Sequence, residues 1–140
     1  MTRIDFYVLA DETLEQQQLF ACRLAQKAVK QGHRVYIHTS SDHQSQQLDD
    51  LLWTFSTHSF VPHTRQAAEC AQHPVFISHQ GDPHGIHDVL INLSLKTPDC
   101  FSRFERLAEL VNQHENIRQA GRERFKFYKS RGYPLNTHKL

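Results

Sequence analysis

The chain has 140 residues, 39% of them apolar and 22% charged, with 16 lysines and arginines against 15 aspartates and glutamates for a formal net charge of +1. That length suits one domain, residues 1–140, with one core and no need of disulfides, and the near-neutral balance excludes a bulk nucleic-acid binder. No apolar run approaches the roughly 18 residues of a membrane helix, the first residues carry no signal-peptide pattern, and Cys22, Cys70 and Cys100 form no Cys-x-x-Cys pair, so a reducing cytoplasm is expected.

Residues 3–9 are rich in β-branched and aromatic types and read as a buried strand. Residues 12–31 read as a helix, with Ala21, Leu24, Ala25 and Ala28 at helical spacing, acids first, lysines last, and Gly32 at the end. A second strand spans 33–39 around Val35, Tyr36 and Ile37, and Ser40 or Ser41 caps a helix over about 42–55. Ser59-Phe60-Val61-Pro62-His63 is a loop or edge segment, because Pro62 lacks the donor that a central strand needs, and its Phe and Val find no partner within the segment. Strands are expected at 74–78 and 88–95, either side of a polar loop with Gly81, Pro83 and Gly85. The spacing of Phe104, Leu107, Ala108 and Val111 predicts a helix over 101–113, and a last helix over 116–130 stops at Gly132 and Pro134. Strands alternating with helices give a small α/β domain with a mostly parallel, Rossmann-like sheet flanked by helices.

Such a start raises the question of a nucleotide, which would need a glycine-rich turn after the first strand. Here the turn is Ala10-Asp11-Glu12-Thr13, whose two acids repel phosphate, so no cofactor is expected. Neither a Gly-x-x-x-x-Gly-Lys loop nor a Gly-x-Ser-x-Gly elbow occurs, so no catalytic residue is assigned. His79, His84, His87 and Asp88 gather around one turn but lack the fixed spacing of a metal motif, which favours surface histidines over a metal site. Cys22 falls in the apolar period of the first helix and reads as core.

Charge is unevenly spread. Residues 116–140 hold seven basic residues and one acid, whereas the rest of the chain holds nine basic residues and 14 acids. On the last helix Arg118, Arg122, Phe125, Lys126 and Lys129 make a cationic stripe with an aromatic ring in its middle, while Ile117, Ala120, Arg124, Phe127 and Tyr128 form the face that can pack on the sheet. A ring between guanidinium groups suits a ligand that is both anionic and apolar: an acidic peptide ending in an apolar residue, or a single strand of nucleic acid whose bases stack.

Four stretches resemble the chi-subunit family of bacterial DNA polymerase III. They are Phe6-Tyr7-Val8-Leu9; Leu52-Trp53 with Ser59-Phe60-Val61-Pro62-His63; Asp88 to Leu93; and Arg122 to Lys129 leading into Gly132-Tyr133-Pro134-Leu135-Asn136-Thr137. The resemblance implies a non-enzymatic accessory protein of the clamp-loader complex that pairs with the psi subunit and binds the acidic C-terminal tail of the single-stranded DNA-binding protein. It places tail binding on Val111, Arg118, Arg122, Phe125 and Lys126, and the psi contact on Trp53, Phe60, Val61 and Pro62. Relatives can carry Tyr where Phe125 stands and Lys where Arg118 stands. Direct binding of single-stranded nucleic acid by the last helix is the alternative, with a small-molecule enzyme third.

Overall fold

A computed structural model describes residues 1–57 and 60–140. Seven strands form one sheet: β1 (Arg3–Val8), β2 (Val35–His38), β3 (His63–Thr64), β4 (Val75–Ser78), β5 (Val89–Asn92), β6 (Arg106–Val111) and β7 (Leu135–Lys139). They lie in the order β3-β4-β2-β5-β6-β1-β7, and every pairing is parallel. Parallel neighbours need crossovers, and the helices α1 (Leu14–Lys30), α2 (Asp42–Thr54) and α3 (Glu115–Ser130) lie along three of them.

Helices on both faces bury both sides of the strands, so alternate residues feed two cores. Val35, Ile37, Ile77, Ile91, Ala108 and Leu110 meet Ala21, Cys22, Ala25 and Leu48 on the side of α1 and α2. Ile4, Phe6, Tyr36, Leu90 and Leu107 meet Phe101, Ile117 and Tyr128 on the other side, under α3. Helix starts follow the capping rule: Thr13 Oγ1 accepts from the Gln16 amide at 3.2 Å, and Ser41, not Ser40, caps α2 by accepting from Gln44 at 3.1 Å.

The helix expected over 101–113 does not form. Residues 101–103 make a single 3₁₀ turn, and β6 follows between β5 and β1. A strand buried on both faces is apolar at nearly every position, so Leu107, Ala108, Leu110 and Val111 satisfy a helical spacing by default. At the other end of the chain β7 is an edge strand with mixed exposure and no periodic signal, held parallel to β1.

The segment beginning at Ser59 also resolves into sheet. Ser59 lies outside the described residues, but His63 and Thr64 pair with Val75 and Phe76 as the edge strand β3. Pro62 precedes the pairing and costs the ladder no donor.

Candidate protein-binding surfaces

Where β1 and β6 end against α3, a groove of about 620 Å³ opens. Phe6, Val8, Val111, Gly121 and Phe125 give it an apolar floor, Arg118 and Arg122 stand on one rim, and Lys139 and Leu140 on the other. Helix and strand touch closely at one point: a Cβ on Gly121 would sit 2.5 Å from Val111 Cγ1, so only glycine lets α3 lie this deep. Phe125 is half-buried and meets Phe6 edge-to-face at 5.2 Å. The β1 turn that lacks glycine is pinned here by protein groups instead, since the Gln113 amide donates to Asp11 O at 2.8 Å and Asn112 Nδ2 to Thr13 O at 3.2 Å.

Val111, Arg118, Arg122 and Phe125 therefore line one cavity, with Val111 on strand β6 and not on a helix as the sequence suggested. Lys126 is exposed one turn beyond Arg122, off the groove lining. Lys139 and Leu140, which no sequence signal marked as site residues, reach the rim because β7 runs beside β1 and the Leu140 amide donates to Val8 O at 3.0 Å.

Under the groove helix lies a buried polar network. Arg124 Nε is 3.1 Å from Glu109 Oε2, and both side chains are nearly inaccessible. Tyr128 Oη donates to Glu109 at 2.5 Å, Asn92 Nδ2 donates to both carboxylate oxygens, and Arg124 Nη1 donates to Leu95 O at 2.9 Å. Burial pushes Glu109 above the ordinary carboxylate value even though Arg124, Tyr128 and Asn92 all favour its ionised form, and burial together with Glu109 pushes the Tyr128 phenol up so that it keeps its proton and donates. The network fixes the rotation of α3 and so decides which of its cations face outward.

A second surface lies across the sheet. Trp53 and Phe60 are 58% and 57% exposed, and their rings stack at 4.9 Å. Val61 is buried in the core beneath them, and Pro62 is partly buried. The two aromatics thus partner each other, while Val61 has its partners in the core.

Other candidates lead elsewhere. Burial pushes the Cys22 thiol up to about 12, as a core cysteine requires. Of the histidine loop, only His87 and Asp88 converge with a third ligand type, Glu105, among the described residues; His79 and His84 do not join them. No described helix is long and apolar enough to cross a membrane.

The profile described as DNA polymerase III chi subunit, HolC matches residues 1–136. The chain is 45% identical to the DNA polymerase III subunit chi of Pseudomonas aeruginosa, over 100% of this chain and 98% of that protein. It is 31% identical to the subunit chi of Escherichia coli (98% of this chain, 97% of that protein) and 30% identical to that of Haemophilus influenzae (96% and 95%).

Proposed function

The chain belongs to the DNA polymerase III chi-subunit family, accessory subunits of DNA replication, and from that premise we propose that it is a non-catalytic cytoplasmic adaptor with two protein-binding faces. The groove under α3 receives the acidic, apolar-ended C-terminal tail of the single-stranded DNA-binding protein, and the Trp53–Phe60 face receives the psi subunit, which links the chain to the clamp loader.

The observation that carries this reading is the meeting of an apolar floor and two guanidinium groups in one open cavity. A chain terminus presents an α-carboxylate beside its last side chain. Arg118 and Arg122 can take the first with their planar forks, and the floor of Phe6, Val8, Val111 and Phe125 can take the second. Lys126 and Lys139 lie where acids further back along the tail would pass. Each charged hydrogen bond contributes about 1.5–3 kcal/mol and burial of one large side chain about as much, which after association entropy leaves micromolar affinity. Two stacked, exposed aromatics, Trp53 on α2 and Phe60 just before Pro62, are of the type that anchors a stable protein partner.

Titration with a labelled acidic tail peptide, with and without its final apolar residue, tests the groove. The full peptide binds wild type, while loss of the last residue or Arg122→Ala weakens binding at least tenfold. Equal affinity in all four combinations would remove the site.

A further inference from the structure

Beneath the aromatic face lies a histidine that no other site uses. His63 opens β3 with its side chain fully buried. Its Nδ1 is 2.7 Å from the Val61 carbonyl oxygen, an acceptor, so that nitrogen carries a proton and donates. Its Nε2 is shut off from solvent and lies 3.2 Å from Asp49 Oδ1 on α2, at an angle that makes no hydrogen bond. The same ring meets Trp53 edge-to-face at 5.0 Å and Phe60 at 6.4 Å.

Among the described residues, Asp49 is the charged group that an ion-pair contact places against the ring. From β4 the register partner is Val75, from the preceding segment come Phe60 and Val61, and the nearby Arg65 is turned to Asp42 and Gln46. With one proton, on Nδ1, the ring aims an Nε2 lone pair at a carboxylate, and the contact repels. A second proton, on Nε2, makes the same contact an ion pair that ties β3 to α2; Trp53 rides on α2, and Phe60 lies three residues before β3.

We infer that His63 is the positioning residue of the aromatic face, and that its ion pair with Asp49 holds the Trp53–Phe60 stack in the arrangement a partner meets. The use of that arrangement rests on the reading of this face as the psi contact, whereas the clamp itself belongs to the chain alone.

Trp53 is the one tryptophan of the chain, so its emission reports the clamp directly. In wild type the indole should show the emission of a ring held in a fixed stack. His63→Gln should move the emission maximum to longer wavelength as the indole leaves the stack, with thermal unfolding used to verify the fold. Asp49→Asn, at a side chain 26% exposed, keeps the shape and removes the charge, so it should keep the fold and move the emission in the same direction. Should His63→Gln fail to fold, the Asp49→Asn emission alone carries the test. Emission of either folded variant indistinguishable from wild type would overturn the clamp. Retention of psi, measured separately, should be weaker in both variants than in wild type. Absence of psi binding to wild type beside the expected emission shifts would remove the partner reading and leave the clamp standing.

Discussion

Arg124 belongs by periodicity to the packing face of the last helix, and a charge on that face requires a buried partner. The sequence offered no way to name Glu109, which lies 15 residues upstream in a stretch whose spacing imitates a helix. The pairing exists only once β6 is a strand and Glu109 points at α3. Arg124→Leu leaves a fully buried acid with two neutral donors, so urea denaturation should show a loss of about 3 kcal/mol at pH 7. Adding Glu109→Gln keeps acceptors for Tyr128 and Asn92 without the stranded charge, and should recover most of that loss. Without Arg124, Glu109 holds its proton still more tightly than in the folded wild type, so the deficit deepens as pH rises through the wild-type folded value, which itself lies above the ordinary glutamate value of about 4.3.

Asp5 shows the opposite sign. Burial alone would raise it, but His138, Arg106 and Arg3 around it outweigh burial and bring its carboxyl below the ordinary value. A depressed folded value gives stability that is present above the unfolded value near 3.9 and lost as pH falls through the folded one. The partners are partly solvated, so Asp5→Asn should cost about 1–2 kcal/mol at pH 7. Thermal unfolding at pH 7 and at pH 3 checks this: the gap between variant and wild type should narrow at the lower pH, and a constant gap would contradict the assignment.

Among the elements, α1, α2 and α3 are legible from one apolar stripe between caps and terminators, and β1, β2, β4 and β5 from short apolar runs bounded by turn residues. The two failures have physical causes. β6 interrupts its apolar residues with Arg106 and Glu109, so that Phe104, Leu107, Ala108 and Val111 fit a helical spacing, and β7 is an exposed edge whose polar residues take strand form only because β1 offers a ladder. The groove was legible from the α3 stripe on one wall and illegible on the other, since Lys139 and Leu140 depend on β7 and Val111 was placed on the wrong kind of element. Its depth hangs on Gly121. In a free helix Gly→Ala gains about 1 kcal/mol, but here the new methyl would meet Val111 within 2.5 Å. Gly121→Ala should therefore lower the melting temperature and weaken tail-peptide binding. Gly121→Ala with Val111→Ala, which makes room for it, should restore the helix position and part of the stability, as calorimetry on the two variants can decide.

Across the whole molecule, sheet order sets the two faces apart. β3, with the aromatic pair beside it, forms one edge, and β7, with the groove beside it, forms the other, so six strand spacings of about 4.8 Å separate them. Sites that far apart and without shared partners should be energetically independent. Trp53→Ala with Phe60→Ala should leave tail-peptide affinity unchanged within twofold while psi is lost, and a shared loss would mean that the fold, not the face, had been damaged. The acidic remainder of the chain opposes phosphate, so binding to bare single-stranded DNA should be weak, and its salt slope should correspond to few neutralised phosphates.

Bridging is the central claim, and capture on coated DNA measures it. Single-stranded DNA saturated with its binding protein is immobilised, and the psi subunit is applied with and without this chain. Psi should be retained only when the chain is present, and both Arg122→Ala and the Trp53→Ala, Phe60→Ala variant should abolish retention, each at its own face. Retention of psi without the chain, or undiminished retention with both variants, would contradict the account.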